Sequence, residues 1–141
     1  METTGKKAIT VESTVKAPVN KVWELYNTPQ HVVQWNTASD DWHTPAAEND
    51  VRPGGKFNYR MEAKDGSMGF DFGGVYDAVK TNELIAYTMG DGRKASVHFT
   101  ASGNETKVTV TFDPEDQNSI ELQRNGWQAI LDNFTKYAET H

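Results

Sequence analysis

The side chains in this sequence that could carry acid–base or metal chemistry are its four histidines, the adjacent Asp40-Asp41 pair and its tyrosines. His31, His43, His98 and His141 are scattered, with no HExxH pattern or other spacing that sets two imidazoles on one face. His98 lies between Val97 and Phe99, so if those two face inward its ring points to solvent. His31 falls on a short polar helix, and His141 is the last residue, where mobility is expected. His43 follows Trp42 and could face an interior cavity, although a plain polar or packing role suits it better. Asp40 and Asp41, as neighbours on a strand, would point to opposite faces and could not share a proton. No serine sits in a nucleophile elbow, and the chain has no cysteine, which removes thiolate nucleophiles, disulfides and zinc–cysteine sites. Gly54-Gly55 and Gly73-Gly74 lack phosphate-loop spacing and read as a turn and a bulge. No metal or cofactor is implied. Were the protein an enzyme, Tyr59, Tyr87 and His43 would move protons on a bound carbon skeleton, as a cyclase does. A non-enzymatic role is the preferred reading.

What remains is a set of rings and thioethers. Aromatics make up 11% of a chain that is only 36% hydrophobic, so wide side chains dominate any interior it builds. Trp35, Phe57, Tyr59, Met61, Met68, Phe70, Phe72, Tyr87, Met89, Trp127, Leu131 and Phe134 form the candidate ligand-binding set. Apolar pockets with a few polar groups are what small-molecule sites look like, and methionine adds a deformable wall. Any one of these residues could equally be ordinary core filling. A net charge of -6 argues against nucleic acid as a partner. No apolar run approaches the roughly 18 residues of a membrane span. The METTGKKAITV start lacks the apolar core of a secretory signal, so a cytoplasmic location is expected.

The elements that would position this set follow from periodicity. AITVESTVK alternates as a half-buried strand. Pro18 suits a first helical position, with Val19, Val22, Trp23 and Tyr26 at helical spacing after it. Thr28-Pro29 restarts a second short helix that ends near Trp35, with Thr28 as cap. SDDWHT reads as a short strand and AAEND as a loop, and Pro53-Gly54 fits a type II turn. KFNYRME, MGFDFGGVYDAV, ELIAYTM, KASVHFTA and TKVTVTF then form a meander of strands, with a type I′ turn expected at Asp65-Gly66. Asn118 with Glu121 resembles a capping box. Behind it Ile120, Trp127, Ile130, Leu131, Phe134, Tyr137 and Ala138 fall on one helical stripe. An antiparallel sheet with one apolar face needs a cover, and this helix is such a cover. No repeat or linker is visible, so one domain over residues 1–141 is expected.

Five stretches carry a resemblance: "KAPVNKVWELYNTPQHVVQW", "ENDVRPGGKF", "AKDGSMGFDFGGVYD", "ELIAYTMGDG" and "NGWQAILDNFTKYAE". Together, from about Ile9 to Glu139, they resemble the activator-of-heat-shock-ATPase homologues. That family is a branch of the START-related superfamily, which includes the birch-pollen allergen fold. The resemblance implies an α+β helix-grip architecture, a curved antiparallel sheet wrapped around the C-terminal helix with a cavity between them. Members of the wider superfamily hold lipids, sterols or polyketides there. A eukaryotic branch instead stimulates the ATPase of the ninety-kilodalton chaperone, which makes a chaperone the alternative partner and stress response the alternative setting.

One local conflict stands out. Gly126 sits inside the last helix directly before Trp127, although glycine costs about 1 kcal/mol there relative to alanine. The sequence suggests a clearance position, where a side chain would press on a neighbouring element. Trp127 is expected to insert between helix and sheet beside the cavity.

Overall fold

Alternating burial defines the strands of this chain. In the computed structural model, which describes residues 8–141, β1 (Ile9–Val15) buries Ile9, Val11 and Val15 and turns Thr10, Glu12 and Thr14 outward. The METTGKK start, read for its lack of a signal, lies outside the described residues. The chain continues through α1 (Val19–Asn27), α2 (Pro29–Trp35), β2 (Trp42–Asn49), β3 (Lys56–Ala63) and β4 (Gly69–Lys80). It closes with β5 (Leu84–Met89), β6 (Lys94–Ser102), β7 (Glu105–Phe112) and α3 (Ile120–Glu139).

The seven strands form one antiparallel sheet in the order β1-β7-β6-β5-β4-β3-β2. Successive strands β1 and β2 are therefore the two opposite edges, and α1 and α2 carry the chain between them. The sheet curls into a half-barrel around α3, with the two short helices at its open side: an α+β helix-grip. Among the described residues no helix is long and apolar enough to cross a membrane.

Buried polar bonds hold the crossover in place. Thr106 on β7 is fully buried, and its Oγ1 donates to the Ala17 carbonyl at 2.9 Å. Trp35 Nε1 donates to the Leu25 carbonyl at 3.0 Å and locks α2 onto α1. Thr44 Oγ1 donates to the Asn36 carbonyl at 2.8 Å and ties the end of α2 to β2.

Several local expectations change. Pro18 is extended and caps α1, which begins at Val19. Thr28 precedes α2 without a side-chain cap bond. Ser119, not Asn118, caps α3, its Oγ accepting from the Leu122 N–H at 3.1 Å. Asn118 is instead held by Glu115, and Ile120, at the helix's first residue, stands 41% exposed. AAEN continues β2 instead of forming a loop, because a register shift between His43 and Ala46 absorbs Pro45 on this edge strand. At Asp65-Gly66 only glycine has positive φ, and Asp65 Oδ1 accepts from the Ser67 N–H at 2.8 Å. The turn is accordingly not type I′. The bulge in β4 falls between Tyr76 and Ala78, not at Gly73-Gly74. Those glycines serve close strand approach: a Cβ on Gly74 would stand 2.4 Å from the Thr88 carbonyl oxygen.

Thr106→Val keeps the shape of the side chain but strands the Ala17 carbonyl in the interior. It is expected to cost about 1–2 kcal/mol in urea unfolding; an unchanged midpoint would show that this bond contributes nothing.

Candidate functional site

Helix α3 is pinned to one side of the half-barrel. It packs chiefly on β1, α1 and α2 rather than on β3 to β5. Thr135 Oγ1 meets Ser13 Oγ at 2.7 Å, and Gln128 Nε2 donates to the Glu12 carbonyl at 3.0 Å. The far half of the sheet curls away from the helix, and a cavity of about 300 Å³ opens between them.

Ring faces make most of its wall. Trp35, Phe57, Tyr59, Met61, Phe70, Phe72, Tyr87, Trp127 and Leu131 from the candidate set all line it. Strand parity explains the β-strand members: Phe57, Tyr59 and Met61 share the inner face of β3, and Tyr87 that of β5. Trp127 enters between helix and sheet as expected, stacked flat on Phe112 at 3.8 Å and edge-on to Phe72 at 5.9 Å.

Three members of the set lie elsewhere. Met68 is 66% exposed, because the β3–β4 turn runs through it and β4 begins only at Gly69. Met89 points inward but at the far end of β5, where it packs in the core away from the cavity wall. Phe134 is fully buried behind the wall, wedged against Tyr26 and Trp35 at ring separations of 5.0 and 4.9 Å.

The structure adds polar residues that periodicity did not single out. Tyr26, Asn36, Tyr76, Arg93, Glu115, Asn118 and Gln123 also line the cavity. Tyr26 carried a helical-spacing signal, but nothing in the sequence marked Asn36. Gln123 is buried and cross-links the β7–α3 loop: its Nε2 donates to the Asn118 carbonyl at 2.8 Å, and its Oε1 accepts from the Glu115 N–H at 2.8 Å. Arg93 is held by Asp91 Oδ2 at 2.7 Å and donates to the Asp113 carbonyl at 3.2 Å.

The arrangement has close parallels. The family described as "Activator of Hsp90 ATPase homolog 1-like protein" matches residues 16–139. This chain belongs to that family. The AHSA1-like protein of Aeromonas hydrophila, known in solution, shares 40% identity over 95% of this chain and 93% of its own, with a TM-score of 0.89. Chr148 of Cytophaga hutchinsonii shares 56% identity over 94% and 92%, with a TM-score of 0.82. NE0264 of Nitrosomonas europaea, at 16% identity and a TM-score of 0.81 over 98% and 97%, shares the fold. No curated protein matches the chain.

Within this AHSA1-like domain the histidines stand apart from the cavity. His43 is exposed on the outer face, 3.8 Å from Glu62 Oε1, because alternation along β2 gives the buried position to its neighbour Thr44. That corrects the cavity-facing reading. His98 is exposed, as its neighbours require. His31 Nδ1 meets the Tyr137 hydroxyl at 2.6 Å, and His141 stacks on Tyr137 at 3.8 Å, so the last residue has a defined seat. Among the described residues no cluster of potential metal ligands occurs.

The phenols facing the cavity are all held neutral. Burial raises Tyr26, Tyr59 and Tyr87 above the usual tyrosine range. Burial also pushes Tyr76 up to about 12, partly offset by its hydrogen bond to Asn49. Such groups donate hydrogen bonds at neutral pH and make poor bases. In the unfolded chain each would ionise near pH ~10, so the native state binds the extra protons above that point. Stability is therefore complete below pH ~10 and falls as pH rises through the native values. A pH titration is expected to show phenolate absorbance and loss of circular dichroism rising together above about pH 10. Normal phenol ionisation in the still-folded protein would contradict the burial argument.

Gly126 also departs from expectation. A Cβ built there meets nothing within 4 Å, so it is no clearance position. Gly126→Ala is expected to raise stability by about 0.5–1 kcal/mol through helix propensity, read as a higher urea midpoint. A loss of stability would restore the clearance reading.

Proposed function

We propose that this chain binds a small, largely apolar molecule in the cavity between α3 and the sheet. The observation that carries the reading is the cavity itself: about 300 Å³ walled by rings from β3, β4, β5, α2 and α3. Its wall leaves apolar ring surface without a packing partner, and covering such surface with an apolar guest is favourable. Its volume falls at the low end of the roughly 300–1,000 Å³ typical of small-molecule sites.

The reading favours binding over turnover. The phenols inside are neutral donors, and the one histidine proposed for proton transfer lies outside. A chaperone-activating role, which the family's description suggests, would draw on the outer surface and needs no cavity. Ile130, half-buried on the α3 side of the wall, separates the two.

Thermal unfolding of the full chain with lipids, sterols and polycyclic aromatic compounds tests the proposal. A true ligand at 100 times its Kd adds about 2.7 kcal/mol of stability. Ile130→Trp, which fills the space, is expected to weaken that ligand at least about tenfold (1.4 kcal/mol) while leaving the far-UV dichroism unchanged. If no compound shifts the transition, the binding reading falls. If Ile130→Trp retains stimulation of a chaperone ATPase that the native chain also stimulates, the outer surface carries that activity.

A further inference from the structure

A sheet edge exposes backbone donors and acceptors that another strand can pair, and proteins guard such edges. Both outer edges of this sheet are guarded. Along β1, Gln128 Nε2 donates to the Glu12 carbonyl at 3.0 Å, and Glu139 Oε2 accepts from the Lys16 N–H at 3.0 Å. β2 carries Pro45 and a register shift, and α2 packs on it. A third edge lies inside the sheet. β4 pairs with β3 down to Gly69, but its ladder with β5 ends where Gly74 meets Met89. Among the described residues no strand stands opposite residues 69–72 on the β5 side.

The register fixes which groups are left there. The Tyr76 N–H donates to the Gly55 carbonyl and the Tyr76 carbonyl accepts from the Gly54 N–H, both on the β3 side. The Gly73 carbonyl accepts from the Gly90 N–H on the β5 side, at 3.3 Å. Alternation then turns the N–H and C=O of Asp71 to the β5 side as well, past the end of β5. Beside them a cleft of about 890 Å³ is lined by Phe70, Asp71, Phe72, Gly73, Gly90 and Arg93. Phe70 is 48% exposed although it shares the inner face with Phe72 and Tyr76. The Asp71 carboxylate stands on the outer face, 58% exposed; Arg60 lies 3.7 Å away but is already held by Glu62 at 2.9 Å. β6 also runs past β5, but offers only the small residues Thr100, Ala101 and Ser102 there.

An extended peptide is the occupant these groups fit. Its residue opposite Asp71 exchanges two backbone hydrogen bonds with it and shares the outer face, while the neighbours on either side face inward against Phe70 and Phe72. Charge narrows the choice of partner. Full self-pairing of residues 69–73 across a twofold axis sets Asp71 against Asp71, which like charge disfavours. A net charge of -6 also favours a basic guest over an acidic one. We propose that β4 takes up an extended segment of another protein as an added strand at residues 69–73, with a lysine or arginine opposite Asp71 and apolar residues flanking it.

The test is heteronuclear NMR of the full chain titrated with acetyl-Thr-Val-Lys-Val-Thr-amide. The Asp71 amide signal is expected to move, and its hydrogen exchange to slow at least about tenfold at saturation. The same peptide methylated on the lysine backbone nitrogen is expected to bind at least about tenfold more weakly, because one of the two bonds to Asp71 is gone. The methyl group sits on the peptide, so folding of the protein does not enter. Glutamate in place of the peptide's lysine is expected to weaken binding at least about threefold, and Asp71→Lys to reverse that preference. Equal binding of the methylated peptide, or shifts confined to β1, β2 or the cavity tyrosines, overturns strand addition at β4. A charge preference that Asp71→Lys leaves unchanged overturns the register. No shift up to the peptide's solubility limit overturns the proposal. So does a dimer of the native chain, seen in sedimentation, that the peptide dissociates, because the edge then belongs to a second copy.

Discussion

One helix cannot cover seven strands. At about 4.8 Å per strand the sheet is on the order of 30 Å wide, whereas a helix with its side chains is about 10 Å across. Curling the sheet narrows the mismatch, and pinning α3 beside β1 fixes where the helix's contact is spent. What remains must be filled by α1, α2 and large side chains, or left open. Trp23, Tyr26, Trp35 and Phe134 fill it on one side, each ring edge-on or tilted against another. On the other side the rings of β3, β4 and β5 pack chiefly on one another, and Trp127 of α3 reaches Phe72 edge-on. The cavity follows from the cover being narrower than the surface it covers.

That constraint explains why the polar network runs where it does. The β1-to-β2 crossover must travel from one edge of the sheet to the other, and its carbonyls at Ala17, Leu25, Asn27 and Asn36 all receive side-chain donors. The bond at Asn27 comes from Asn49, which in turn accepts from Tyr76 on the cavity wall. Fold closure and cavity lining are therefore parts of one hydrogen-bonded chain. The hydroxyls of Tyr26 and Tyr87 lie outside this chain.

Much of this was legible before any coordinates. Period-2 alternation places Phe57, Tyr59, Met61 and Tyr87 on inner faces, because parity along a strand survives burial. Parity fails where the chain leaves the ladder. Met68 continues the alternating pattern of Phe70 and Phe72 but falls in a turn, and beyond His43 a register shift around Pro45 resets the alternation of β2. Parity also says nothing about depth: Met89 and Phe134 face the right way and lie too far along their elements. Gly126 misled for a related reason, since a helical wheel gives a direction but not whether anything stands there. Asn36 was invisible because it lies just past the end of α2, where no periodic pattern marks a buried face.

The division between apolar wall and unpaired donors bears on how such a family diversifies. An apolar wall discriminates weakly: one methylene more or less changes binding by roughly 10–200-fold at most. A buried donor left without an acceptor discriminates far more strongly, because the wrong guest must strand it. The ring wall here is tied into the fold, as the stacking of Trp127 on Phe112 shows, so changing it disturbs packing. The hydroxyls of Tyr26 and Tyr87 carry no such duty, and replacing tyrosine by phenylalanine there alters no ring contact. The polar lining can therefore change at a few hydroxyl positions while sheet, helix and wall stay fixed. A chain with 16% identity keeps this fold at a TM-score of 0.81.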